Sequence, residues 1–277
     1  MDYKRVLTVQ DISCFGQCSL TVALPIISAC KIETAIMPSA VLSTHTAGFS
    51  GFTFRDLTPD MPSIIDHWVK EGIKFDCIYT GYLGSVTQIE YVKRMKKDLL
   101  KEGGKLIVDP AMGDNGKLYS IFDLNYAKQM ATLCAEADII LPNITEVCFM
   151  TGLEYKETYD REYINSAVKA LEEIGVKTTV LTGIGFEPNT TGAIVSNGGE
   201  IYHYQHEKIS KGCHGTGDVY SSAFVGAFVR GKTLNESAKI AADYTLQCIK
   251  NTQGDASHWY GVKFETAIDY FISQIEK

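Results

Sequence analysis

Apolar, β-rich runs alternate with helix-patterned segments along this chain, and that alternation restricts its possible folds more than any other feature. KRVLTVQ (4–10), ETAIMP (33–38), DCIYTGYL (76–83), KLIVDP (105–110), ADIILPN (137–143) and KTTVLTGIG (177–185) read as strands. Several are continuously apolar rather than alternating, the mark of a strand buried on both faces. Between them, SLTVALPIISAC, QIEYVKRMKKDLLKEG, AKQMATLCAEA and REYINSAVKALEEIG carry helical spacing, the second expected to stop at Gly103-Gly104. TGAIVSNGGEIYHYQ predicts a hairpin turning at Asn197-Gly198, and helices over about 216–230, 234–251 and 263–275 complete the chain. Strands separated by helices imply a doubly wound α/β fold: a mostly parallel central sheet with helices on both faces. No repeat, low-complexity tract or linker interrupts the pattern, so residues 1–277 read as one domain.

In such a sheet ligands bind beyond the carboxyl ends of the strands. Gln10-Asp11, Tyr79-Thr80-Gly81-Tyr82, Asp109-Pro110, Pro142-Asn143 and Thr182-Gly183 each follow an apolar run. Turn chemistry alone accounts for Asp, Asn and Gly at any single one of these positions. Five such positions in one chain favour a site.

Composition removes other classes. With 26 Lys+Arg against 33 Asp+Glu the net charge is −7, and no basic cluster offers a nucleic-acid surface. No apolar run reaches the roughly 18–20 residues of a membrane helix. MDYKRVLTVQD passes directly into a strand-like run, unlike a signal peptide, and a cytoplasmic location is expected. The eight cysteines form no C-x-x-C pair and are expected to be buried free thiols, with Cys213 set apart by standing two residues before a glycine turn. His203 and His206, three apart in a strand-like segment, do not share a face and predict no metal site.

Two phosphate-binding signatures overlap between Lys211 and Thr233. Gly226-Ala-Phe-Val-Arg-Gly-Lys-Thr233 matches the P-loop pattern, but helical spacing runs through it. Gly226 therefore reads as a helix packing position, Gly231 as a helix end, and Thr233 to Glu236 as a capping box opening the next helix. Gly215-Thr216-Gly217-Asp218 instead precedes a helix rich in small residues. Its glycines permit successive amides to converge at a helix N-terminus, where orphan N–H groups and partial positive charge suit a phosphate. Asp218 in the first turn either complements the helix dipole or serves as a base. Phosphoryl transfer suits the latter, with a carboxylate taking the proton of an attacking alcohol. Magnesium takes oxygen ligands, often carboxylates through water, and Asp109 and Glu146 are the candidates.

GTGD opening a late helix, with DPAMGDNGKLY (109–119) and PNITE (142–146) upstream, resembles the ribokinase-like superfamily. With VLTVQD near the start, STHTAG (43–48), TGYLGS (80–85) and LTG (181–183), the chain looks like the pyridoxal/pyridoxamine kinase branch over most of its length. The resemblance implies ATP-dependent phosphorylation of the 5′-hydroxymethyl group of a vitamin B6 vitamer. In that reading Asp218 is the base and Gly215, Thr216 and Gly217 form the anion hole. Asp109, Asn143 and Glu146 organise Mg-ATP, the Mg2+ partly through water. Asp114 and Tyr119 belong to a loop over the ATP phosphates, Thr182 contacts the nucleotide phosphates, and Gly183 allows close approach. Thr46, Tyr82 and Asp11 line the pyridine pocket. A monovalent cation such as K+ and a homodimer are further implications.

Asp11 departs from the family's better-known members, which carry Ser there. A carboxylate could favour a protonated ring nitrogen or the amine of pyridoxamine, or cap a helix around Ser13. Hydroxymethylpyrimidine kinase of thiamine synthesis is the alternative, sharing fold and mechanism. A sugar kinase would normally carry a lid domain, and a cofactor-binding module without activity would be expected to lack Asp218, Asp109 or Glu146.

Overall fold

The computed structural model describes residues 3–209 and 213–277. The chain runs β1 (Arg5–Ser13), α1 (Leu20–Ala29), β2 (Glu33–Leu42), β3 (Phe54–Asp56), α2 (Met61–Lys70), β4 (Phe75–Thr80), α3 (Val86–Leu99) and β5 (Leu100–Val108). A small hairpin, β6 (Gly113–Asp114) and β7 (Lys117–Leu118), precedes α4 (Leu124–Glu136), β8 (Ile139–Ile140), α5 (Ile144–Thr151) and α6 (Arg161–Glu173). The last part contains β9 (Thr178–Thr182), β10 (Thr190–Asn197), β11 (Glu200–Glu207), α7 (Thr216–Val229), α8 (Leu234–Thr252), a 3-10 turn (Phe264–Ala267) and α9 (Ile268–Ile275).

Nine strands form one sheet in the order β11-β10-β9-β8-β5-β4-β1-β2-β3. The pairs from β2 through β1, β4, β5 and β8 to β9 are parallel, whereas β3, β10 and β11 add antiparallel at the two edges. This is the ribokinase-like, mostly parallel architecture expected from the sequence. Successive strand residues point to opposite faces and divide the core in two. Leu7, Val9, Ile78, Leu106 and Val108 pack beneath α2 to α6. Val6, Cys77, Tyr79 and Ile107 pack on the other face against α1, α7, α8 and α9.

Gly226 lies where α7 crosses α1: a Cβ there would stand 2.5 Å from Cys30 Sγ. Gly231 follows the end of α7 with φ 94°, and Thr233 and Glu236 form a reciprocal capping box on α8. The P-loop lookalike is thus a helix packing position followed by a helix end.

Several elements differ from the sequence expectation. α3 ends at Leu99 rather than at the glycines, because Leu100 already pairs with Phe75; the register then shifts, and Lys105 pairs with Cys77. Lys101–Gly104 is an irregularity within β5 rather than the end of a helix. The strand expected over 137–143 is reduced to Ile139–Ile140, and the helix expected from 263 begins as a 3-10 turn. β1 continues past Gln10 through an irregularity between Gln10 and Ile12, so Asp11 lies inside the strand and no helix forms at Ser13. Of the eight cysteines, Cys30, Cys77, Cys134, Cys148 and Cys248 are buried as expected, but Cys14 is exposed and Cys18 and Cys213 are half-buried. Among the described residues no helix is long and apolar enough to cross a membrane.

Candidate active site

α7 starts at Thr216, and Gly215 before it has φ 74°. A Cβ on Gly215 would lie 1.9 Å from the carbonyl oxygen of Gln17, so backbone conformation and close approach both demand glycine. Gly217, in the first turn, has nothing among the described residues within 4 Å of a would-be Cβ. Ser210, Lys211 and Gly212, which lead into this turn, lie outside the described residues.

Asp218 projects from the same turn, and its Oδ2 accepts the amide of Ser19 at 3.0 Å. Burial raises its carboxyl to about pKa 7; the Ser19 amide pulls it down, while the charges of Asp109 and Asp11 push it up. One turn further along α7, Ser221 Oγ donates to Asp109 Oδ2 at 2.7 Å. The other oxygen of Asp109 accepts the amide of Ala111 at 3.1 Å. Asp109 directly follows β5 and is buried, which raises its pKa.

Glu146 is buried within the capping box of α5. Its Oε2 accepts the Asn143 amide at 2.9 Å and its Oε1 the Met112 amide at 3.0 Å. Burial and then the charge of Asp109 hold its carboxyl well above the usual range. Asn143 returns the bond to the Glu146 amide and donates from Nδ2 to Gly113 O at 2.8 Å, tying α5 to the β6–β7 hairpin. Asn115 and Gly116, both at positive φ, turn this hairpin. Asp114 sits exposed on it, accepting from Asn115. Tyr119 follows, its amide donating to Met112 O at 2.9 Å; its side chain is part-exposed, and desolvation and then the negative charges of Glu146, Asp218, Asp114 and Asp109 push its phenol up.

Thr182 closes β9 against the end of β8, its amide donating to Pro142 O at 2.9 Å and its hydroxyl to the same oxygen at 3.2 Å. Gly183, φ 74°, faces open space beyond it.

Asp11 is buried within the last residues of β1, and the Ser19 and Ser13 hydroxyls oppose the rise in its pKa caused by burial. The Ser13 bond measures 2.9 Å. Tyr82 packs its ring 5.7 Å from that of Phe122, and its phenol is pushed up to about 12 by burial and then by Asp11. Thr46 is exposed on the loop after β2. Its neighbour His45 is the buried member of STHTAG. The Ala47 amide donates to Nδ1 at 3.2 Å, which leaves the ring proton on Nε2, 2.6 Å from Tyr260 O. Burial holds the imidazole below its ordinary pKa, so it is neutral at pH 7.

The fold therefore brings Asp11 and Asp109 within electrostatic reach of Asp218, joins Glu146 to Asp109, and sets Asn143, Thr182 and Gly183 along adjacent strand ends. Among the described residues Thr46 makes no hydrogen bond to this group; beside it His45, Phe15, Phe49, Trp259 and Tyr260 form an aromatic cluster, with His45 and Phe49 ring centroids at 4.9 Å and Phe49 and Trp259 at 4.6 Å. Sequence reasoning also passed over Ser19 and Ser221. Ser221 was legible in principle, since three residues on a helix return it to the face of Asp218.

Asp109 and Glu146 are two buried carboxylates, with no ion-pair partner of either among the described residues. Among those residues no group of three or more His, Cys, Asp or Glu is placed to cage a metal ion. Such a pair fits a hard divalent cation that retains water and phosphate oxygens, as Mg2+ does, rather than an all-protein cage.

The profile of the phosphomethylpyrimidine kinase family matches residues 26–261. Pyridoxal kinase of Dictyostelium discoideum is 29% identical over 83% of this chain and 80% of its own length. A Bacteroides thetaiotaomicron protein assigned to the phosphomethylpyrimidine kinases, crystallised with pyridoxal, superimposes with a TM-score of 0.91 at 34% identity, covering 98% of this chain and 96% of that one. Pyridoxal kinase of Lactobacillus plantarum gives a TM-score of 0.90 at 28% identity over 99% of both chains. A profile that spans the sheet from α1 to the loop after α8, with the Gly215–Asp218 turn inside it, places the chain in the phosphomethylpyrimidine kinase family of the ribokinase-like fold.

Proposed function

We propose that the protein is a phosphotransferase that moves the terminal phosphoryl group of ATP to the 5′-hydroxymethyl group of a vitamin B6 vitamer, in pyridoxal 5′-phosphate salvage. One observation carries this reading: Asp218, with a carboxyl pKa of about 7, stands in the first turn of α7 beside the open space over Gly217. A base of that pKa is half ionised at neutral pH and still able to accept a proton. Asp218 takes the hydroxyl proton as the alcohol oxygen bonds to phosphorus. The bond from phosphorus to the bridging oxygen breaks, and ADP leaves. The amides of Gly215, Thr216 and Gly217, at the N-terminus of α7, face the phosphoryl oxygens, on which negative charge accumulates.

Mg2+ would be held, partly through water, by Asp109 and Glu146 and would neutralise phosphate charge. Asn143, Thr182 and Gly183 border the nucleotide, and the hairpin bearing Asp114, with Tyr119 after it, covers its phosphates. Asp11, Tyr82 and the Thr46 loop enclose the pyridine ring. The reading further includes one domain over residues 1–277, K+ as accompanying monovalent cation, a homodimer and a cytoplasmic location. A second reading, hydroxymethylpyrimidine kinase of thiamine synthesis, is favoured by the description of the matching family itself.

Purified protein is assayed with Mg-ATP against pyridoxal, pyridoxamine, pyridoxine and 4-amino-5-hydroxymethyl-2-methylpyrimidine, with Asp218→Asn alongside. Turnover of a B6 vitamer, lost in the variant, supports the first reading. Turnover of the pyrimidine alone selects the second, and an active Asp218→Asn removes the assigned base.

A further inference from the structure

Ser19 holds a backbone conformation that side-chain-bearing residues rarely adopt, φ 54° and ψ −130°. It is buried and begins α1, its carbonyl accepting the amides of Val22 at 3.0 Å and Ala23 at 2.9 Å. Serine is a favoured N-cap because its hydroxyl ordinarily accepts an amide of the first helical turn, yet this hydroxyl makes no capping bond. It lies close enough to the Asp11 carboxylate to favour its charged form. The conformation aims the Ser19 amide away from its own helix, at Asp218 Oδ2, 199 residues further along the chain. The second strained residue of the site behaves alike: Ala111, φ 41°, donates its amide to Asp109 Oδ1 at 3.1 Å. Strain of this kind persists where surrounding contacts enforce it, and it gathers at functional sites.

We infer that Ser19 is a positioning residue: its hydroxyl, anchored on Asp11, holds a strained peptide whose amide fixes Oδ2 of Asp218 and leaves Oδ1 to meet the acceptor alcohol. The inference rests on Asp218 being the base. Alanine at 19 keeps the strain and loses the anchor, so the peptide relaxes and Asp218 loses its donor. Glycine loses the same anchor but adopts the conformation without penalty, so the amide stays in place.

The test compares Ser19→Ala and Ser19→Gly in the full-length protein, measuring kcat and KM for the B6 vitamer and for Mg-ATP, with thermal denaturation of each. Ser19→Ala is expected to lose kcat on the order of 10- to 100-fold with both KM values little changed, the scale set by misorienting a reacting group. Ser19→Gly is expected to recover most of that loss. Wild-type kcat in Ser19→Ala, or equal loss in both variants at intact folding, overturns the inference. Asp218→Asn separates the levels: if it stays active the base assignment fails, whereas an inactive Asp218→Asn beside indistinguishable Ser19 variants sinks only the role of Ser19.

Discussion

Ser221 Oγ donates to Asp109 Oδ2 at 2.7 Å across 112 residues of sequence. The bond joins the end of β5 to the helix that carries Asp218, so the carboxylate assigned to the metal and the assigned base are set from one rigid helix. Removing one donor from a buried ionised acceptor costs about 1.5–3 kcal/mol in general. Ser221→Ala is therefore expected to raise KM for Mg-ATP and the Mg2+ concentration needed for half-maximal rate, with KM for the vitamer unchanged. A magnesium titration at saturating vitamer checks it, and an unaltered magnesium requirement counts against the pairing.

Asp218→Asn removes the base while preserving shape. General-base contributions run to about 100- to 10,000-fold, and a loss of kcat on that scale with retained vitamer binding is expected. Isothermal titration with the vitamer, beside steady-state kinetics, distinguishes lost chemistry from lost binding.

The pH dependence follows from the same group. Its folded pKa, about 7, lies above the ordinary 3.8, so the proton-bound form is favoured by folding. As a base it acts when ionised, and kcat/KM should fall about tenfold per pH unit below pH 7. For stability the sign is opposite. Ionised Asp218 opposes folding above about pH 7, and this penalty fades as pH falls from 7 towards 4. Asp218→Asn should raise the melting midpoint at pH 8, by about 1–2 kcal/mol in stability, and make no difference near pH 4. Melting curves across that range test this directly.

Gly215 and Gly217 separate fold from chemistry. Gly215→Ala must place a Cβ 1.9 Å from Gln17 O at positive φ, and is expected to cost about 3 kcal/mol or more, seen as a lowered melting midpoint. Gly217→Ala meets nothing among the described residues and should melt within a degree or two of wild type, yet lose turnover because its methyl enters the space assigned to the phosphoryl group.

The P-loop lookalike supplies a negative control. Lys232, half-buried, follows the end of α7, and Lys232→Ala should leave KM for ATP within about twofold, since a charge away from a ligand contributes little to binding it. A tenfold rise would return the nucleotide to that loop.

The sequence alone was enough to determine the sheet and its helical layers. Continuous apolar runs such as KLIV force burial on both faces, and each strand must then release its polar residues at one end. The same logic recognised Gly226 and Gly231 as helix grammar, because spacing of three and four persists through them. Short or irregular elements were not legible. α5 is eight residues long and buried nearly all round, so no amphipathic period marks it, and β5 begins before its glycines because Leu100 finds Phe75, a partner 25 positions away. Which residues touch the carboxylates was decided by tertiary structure. Ser221 and Ser19 are ordinary serines in the sequence; they become donors to Asp109 and, through the backbone amide, to Asp218 only because α1 and α7 pack side by side on one face of the sheet. Local pattern carries information about periodicity and capping, whereas the aim of a single amide depends on a φ angle that distant contacts enforce.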